Sequence, residues 1–196
     1  MKLGITGGIG SGKTSVCRVF SILGIPVFSA DDEARKIMDS EQSVIEKIKS
    51  VTRIPVYKNG TLDRQELARI AFTNKDLLAA INKVVHPAVI SLFKEWADNQ
   101  DSPYVILEAA ILFESGAAES VDKVLTVVAP LEERIERVMR RNNLTREQIL
   151  ERINNQSDDE TKIQRSDWVI RNSETDLIVP GIIKIHEEIL KLTGKN

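Results

Sequence analysis

The sequence predicts an α/β fold: a doubly wound parallel sheet of five short strands with a long helical insert and a helical lid. Three observations predict it. A glycine-rich segment, Gly7-Gly8-Ile9-Gly10-Ser11-Gly12-Lys13-Thr14, separates a short apolar strand from an amphipathic helix. Further strand-like runs alternate with helical stretches, the pattern that builds parallel sheets. One long stretch, from about Ser43 to Asn99, carries helical signals without strand signals.

Taken in order, Met1 to Thr6 reads as a short buried strand. Thr14 to Leu23 reads as a helix with apolar residues at 16, 19, 20 and 23. Gly24-Ile25-Pro26 ends that helix, and Val27-Phe28-Ser29 is the second strand. Asp31 and Asp32 follow, where either could cap the helical segment Glu33 to Met38. Val44 to Ile48, Arg64 to Phe72 and Leu77 to Trp96 read as helices, with Pro87 placed to bend or split the last. Asn59-Gly60 is a turn, and Asp63 is an N-cap with Glu66 three residues on, in the manner of a capping box.

The sheet resumes with Tyr104 to Glu108, whose apolar run suits a central parallel strand. Lys123 to Val128 and Trp168 to Ile170 complete five strands, and Leu177 to Leu192 is the closing helix. Between the last two strands, Glu132 to Asn143 and Thr145 to Asn155 read as two helices, with Thr145 as N-cap of the second. Arg137, Arg140 and Arg141 share one face at i, i+3, i+4 spacing. Interleaved Glu132, Glu133 and Glu136 would make this an ordinary solvated, salt-bridged helix in another context.

Composition bounds the function. The 196 residues are 42% hydrophobic and 29% charged, enough for a packed core and too apolar for disorder. A net charge of −2 argues against bulk binding to nucleic acid or to a membrane surface. The single Cys17 forms no internal disulfide and falls at a core-facing helix position. Apolar runs read as falling short of membrane-spanning length, and the first strand is too short for a signal peptide, so the expectation is a cytoplasmic protein.

The glycine segment fits G-x-x-x-x-G-K-[ST] at every fixed position, between a strand and a helix as a P-loop requires. Glycines let consecutive backbone N–H groups turn inward, and the helix N-terminus adds roughly half a positive charge, so the loop cradles phosphate. Gly8, Gly10, Ser11, Gly12, Lys13, Thr14 and Ser15 are the candidate nucleotide-binding residues. Lys13 would reach the β- and γ-phosphates, and the Thr14 hydroxyl would ligate Mg²⁺. Asp31, just past the second strand, lies where open α/β sheets place their reactive crevice and is the candidate general base. The lid arginines would close onto the transferring phosphoryl group. A guanine-specific N-K-x-D signature is missing, because Asn74-Lys75-Asp76 lacks the intervening residue. These features lean towards a P-loop kinase acting on a small molecule.

Over nearly the whole chain the sequence resembles the dephospho-CoA kinase family. The resemblance is carried by Ile5 to Thr14, Ser29-Ala30-Asp31 with Ala34-Arg35, Leu62-Asp63-Arg64, His86-Pro87 and Leu112-Phe113-Glu114-Ser115-Gly116. Arg137 with Arg141, Arg152 with Gln156, and Asp167 with Asn172 complete it. It implies phosphorylation of the ribose 3′-hydroxyl of dephospho-CoA by ATP; beside it, the expected metal is Mg²⁺ and the expected state a monomer or small homo-oligomer without nucleic-acid or membrane partners. It further implies a nucleotide-binding core (residues 1–32, 101–131 and 161–196), a helical CoA-binding domain (33–100) and a lid (132–160). By the same resemblance, Asp31, Lys13 and Arg141 are catalytic, Arg137 and Arg141 contact the phosphates, and the loop around Asn172 lies near adenine. Thr6, Asp31, Arg64, His86 and Glu114 would serve the acceptor.

The sequence departs from the family pattern in three places. Ser29 stands where an Asp is frequent, Glu108 and Ala110 stand where many members have Asp and then Pro, and Arg134 replaces a frequent Gln. Glu114 could instead pair with a basic residue of the helical insert, His186 reads as a surface residue, and Trp96 and Trp168 as core or its margin. Alternative readings are another P-loop kinase, acting on a nucleoside monophosphate or similar small molecule, and a nucleotide-dependent binding switch.

Overall fold

The computed structural model describes residues 1–142 and 144–194. It opens with β1, Lys2–Thr6, then α1, Lys13–Ile22, and β2, Val27–Ser29. Four helices and a pair of short strands follow in the order α2 (Ala30–Ser40), α3 (Gln42–Thr52), β3 (Tyr57–Lys58), β4 (Thr61–Leu62), α4 (Arg64–Thr73) and α5 (Lys75–Asp98). The chain continues through β5 (Val105–Glu108), a 3₁₀ turn at Ala117–Ser120, and β6 (Lys123–Val128). It finishes with α6 (Leu131–Asn142), α7 (Arg146–Asn154), α8 (Asp159–Gln164), β7 (Trp168–Arg171) and α9 (Ile178–Leu192). Asn143, read from the sequence as the last residue of the α6 helix, lies outside the described residues. Two compact units result, Met1–Ser29 with Ala97–Asn196, and Ala30–Trp96.

In the first unit the sheet runs β2-β5-β1-β6-β7 with every pairing parallel. β1 therefore lies at the centre, with β5 on one side and β6 on the other, and the loop after it opens at the middle of the sheet's C-terminal edge. That edge is where strand order reverses and ligands of such sheets bind. Leu3 and Ile5 face one way and pack with Val16, Cys17 and Phe20 of α1 and Ile182, Ile185 and Ile189 of α9. Full burial of Phe20 stabilises by about 1.5–3 kcal/mol relative to exposure. Cys17 sits in this core, and burial pushes its thiol pKa far up, so it behaves as a small hydrophobe.

The second unit is not purely helical. β3 and β4 form an antiparallel hairpin around Asn59 and Gly60, whose φ values of 50° and 81° suit a type I′ turn. The turn was legible in Asn-Gly, but two-residue strands are too short to show an alternation. Asp63 caps α4 by accepting from Glu66 N at 3.0 Å, while the Glu66 carboxylate turns to Arg69, so half of the capping box is made. α5 continues unbroken through Pro87, which is exposed, as is Lys83 one turn earlier. The carbonyl that proline cannot satisfy thus lies on a solvated side.

Contrary to the sequence reading, one helix among the described residues does reach membrane-spanning length and composition, namely α5, whose most apolar 18-residue stretch has a mean hydropathy of 1.4. Its buried residues Ile81, Val85, Val89 and Phe93 recur every fourth position and make a one-sided stripe. That is the pattern of a helix packed in a protein core. His186 is also corrected: it is half-buried, and its Nδ1 lies 2.7 Å from the Tyr104 hydroxyl.

Candidate active site

The loop between β1 and α1 takes its shape from glycine. Gly7 has φ +149°, and a Cβ there would fall 2.1 Å from the Val127 carbonyl oxygen. Gly12 has φ +95°, and its Cβ would fall 2.0 Å from Asn172 Nδ2. Neither position tolerates a side chain. The Lys13 side chain is buried and folds back over the loop, donating to Gly7 O at 2.9 Å, with Gly8 O at 3.5 Å. Gly12 O receives Ser15 N and Val16 N at 3.0 and 3.2 Å, so the first turn of α1 points its N-terminus at the loop. The Ser11 hydroxyl is buried with no protein partner, and so is that of Thr6 at the end of β1. Orphaned hydroxyls are uncommon in a finished interior, and in a loop of this shape they fit a bound anion.

Thr14 is exposed at the helix start, and its Oγ1 lies 3.4 Å from Glu108 Oε1 at the end of β5. No cluster of three or more His, Cys, Asp or Glu occurs among the described residues. A hydroxyl beside one carboxylate, next to a phosphate cradle, fits Mg²⁺, which keeps water and phosphate oxygens in most of its shell.

Asn172 closes the other wall. Its Nδ2 donates to Ser11 O at 2.8 Å, and its own carbonyl accepts from Arg137 Nη1 at 2.9 Å. Arg137 is held in turn by Glu133 at 2.8 Å. A cavity of about 390 Å³ opens here, lined by Val128, Ala129, Pro130, Arg171, Asn172 and Ser173 among others. Arg141 is exposed and donates to Asn142 beside it, apart from this cluster of contacts.

Glu114 is engaged within its own unit, where the sequence reading had looked to the helical insert. It accepts from Ser157 N at 2.6 Å and lies 3.9 Å from Lys162 Nζ. Burial pushes its carboxyl pKa up, but the Ser157 hydrogen bonds and the Lys162 charge outweigh that and hold it below the usual value. Lys162 is fully buried and donates to Ser157 O, and desolvation lowers its pKa against the pull of Glu114 and Asp159.

Sequence reasoning missed the burial of a third cation. Arg134 is 5% exposed, donates through Nε to Ile9 O at 3.0 Å and pairs through Nη1 with Asp159 at 3.0 Å. The available signal was its place on the apolar side of α6, next to Ile135 and one turn before Val138. A charge on a core stripe needs a partner.

The second unit carries the remaining candidates. Asp31 is exposed in the first turn of α2, two residues past the end of β2. Arg64, first residue of α4, donates to Arg35 O at 2.9 Å and pairs with Asp39. His86 is half-buried on α5, and desolvation lowers its pKa.

A glycine loop at the centre of a five-stranded parallel sheet, with a buried lysine, a hydroxyl at the helix start and an arginine-bearing helix beside it, defines a P-loop kinase. Shikimate kinase from Acinetobacter baumannii shares this fold, with a TM-score of 0.56 at 17% identity, covering 97% of this chain and 93% of that one. The dephospho-CoA kinase family model matches residues 1–177, and the chain belongs to that family. The dephospho-CoA kinase of Bacteroides fragilis is 37% identical over 94% of this chain and 91% of its own length. A crystal structure from Thermus thermophilus superposes with a TM-score of 0.83 at 36% identity, covering 98% of this chain and 97% of that one. Dephospho-CoA kinase from Campylobacter jejuni gives 0.69 at 29% identity, covering 97% and 98%.

Proposed function

We propose that this chain transfers the γ-phosphoryl group of ATP to the ribose 3′-hydroxyl of dephospho-CoA, giving CoA and ADP. The observation that carries the reading is the phosphate cradle of Gly7 to Thr14, built around buried Lys13, in a member of this family. Phosphoryl transfer asks the protein for positioning and charge stabilisation more than for covalent chemistry. The loop amides and Lys13 hold the β- and γ-phosphates, with Gly8, Gly10, Ser11, Gly12, Thr14 and Ser15 shaping the cradle. Thr14 would hold Mg²⁺ with Glu108 behind it, and the ion would neutralise charge between the β- and γ-phosphates.

Arg137, fixed between Glu133 and the Asn172 carbonyl, supports a nucleotide whose base occupies the cavity beside Asn172. Arg141 is exposed and able to swing onto the phosphates when residues 132–160 act as a lid. Asp31 accepts the proton of the acceptor hydroxyl, and Thr6, Arg64, His86 and Glu114 belong to the acceptor side. Residues 33–100 serve as the part that grips dephospho-CoA, and residues 1–32, 101–131 and 161–196 as the nucleotide-binding core.

Measuring ADP release with and without dephospho-CoA, with product mass to locate the phosphate, tests the reading. ADP release stimulated by dephospho-CoA, with product carrying a 3′-phosphate, is the expected result. Stimulation by CMP, UMP or shikimate instead would overturn it.

A further inference from the structure

We propose that Gln156 and Arg134 are positioning residues of the phosphate cradle, gripping both polar groups of Ile9 from the segment that follows β6. Ile9 N donates to Gln156 Oε1 at 2.9 Å, and Ile9 O accepts from Arg134 Nε at 3.0 Å. Ile9 is the only residue with a bulky side chain between Gly7 and Gly12, and it packs against the cluster of Ile135, Val138 and Ile149. One residue of the loop is thus held three ways by α6, α7 and the chain just after them.

The consequence follows from peptide geometry. In a trans peptide the N–H and the preceding C=O point in opposite directions. With Ile9 N–H turned out to Gln156, the Gly8 carbonyl is turned in, where it receives Ser11 N at 3.1 Å and faces Lys13 Nζ at 3.5 Å. With the Ile9 carbonyl turned out to Arg134, the Gly10 N–H must point the other way. Two side chains from beyond β6 thereby set the planes of two successive loop peptides. Glycine on either side supplies no steric preference of its own, so such planes need outside support. Asp159 fixes Arg134, and the Arg134 guanidinium sits so close to Gly8 that a Cβ there would fall 2.0 Å from its Nη2.

This rests on the reading of the loop as a phosphate cradle, but its test needs no acceptor substrate. ADP binding is measured by calorimetry, and exchange of the Ile9 amide by NMR, in wild type, Gln156→Met and Gln156→Glu. Methionine fills the same volume without an acceptor oxygen, whereas glutamate keeps one at the same reach. Gln156→Met is expected to weaken ADP about five- to tenfold, the worth of one hydrogen bond, and to speed Ile9 exchange. Gln156→Glu is expected to keep Ile9 exchange slow. ADP affinity within about twofold of wild type in Gln156→Met overturns the proposal, since a bond that only stabilised the fold would lower the melting temperature without touching phosphate affinity. Should Gln156→Met fail to fold, the exchange rate in Gln156→Glu decides alone, slow supporting and fast overturning. If wild type binds ADP but never phosphorylates dephospho-CoA, the functional reading falls while this one stands.

Discussion

Asp31 and Glu114 are both carboxylates near the C-terminal ends of strands, yet the two have different surroundings. Asp31 is exposed in the first turn of α2, beside Asp32 and Glu33. As the proposed general base it supplies about 10²–10⁴ in rate, so Asp31→Asn should lower kcat at least about a hundredfold while ATP binding is kept. Steady-state kinetics with dephospho-CoA, together with a nucleotide titration, checks both halves. Glu114 is tied to Ser157 N and Lys162, and its pKa is held below the usual glutamate range. The native state therefore binds fewer protons than the unfolded chain just below that range, and stability falls as pH drops through the window. Glu114→Gln should flatten that acid decline, read from urea midpoints between about pH 3 and 6, the range in which such carboxyls titrate. Lys13 and Thr14 were legible because a motif with fixed spacing names them. Arg134, Gln156 and Lys162 were not placed, because their partners Ile9, Asp159 and Glu114 are distant in sequence.

Among the elements, α7 has the best-made start. Thr145 Oγ1 accepts from Gln148 N at 3.3 Å, and Gln148 Oε1 accepts from Thr145 N at 3.0 Å, a full capping box. Thr145→Ala should cost about 0.5–2 kcal/mol, measured as a lower denaturant midpoint with unchanged slope. Helix starts such as Thr145 and Asp63 were readable because capping is local chemistry. α8 was not, since six residues give too little periodicity, and its N-cap Asp158 stands in a run of polar residues. Pro87 was placed to bend or split its helix and does not split it, because its cost depends on whether the carbonyl one turn back is solvated, which exposure decides.

For the whole molecule, the sequence by itself determined the α/β class, five strands with their limits to within a residue or two, the phosphate cradle and the family. These follow from short-range regularities: apolar runs, glycine spacing, caps and a motif whose chemistry needs neighbouring residues. The tertiary structure alone decided the strand order β2-β5-β1-β6-β7, which puts the cradle at the centre of the sheet. It also decided that α6 would bury Arg134 against the loop and that Asn172 would pin Ser11. Those contacts join residues more than a hundred positions apart, and no local preference specifies such a pairing. It emerges only when the chain buries its apolar faces and each buried polar group must find a partner in what is left.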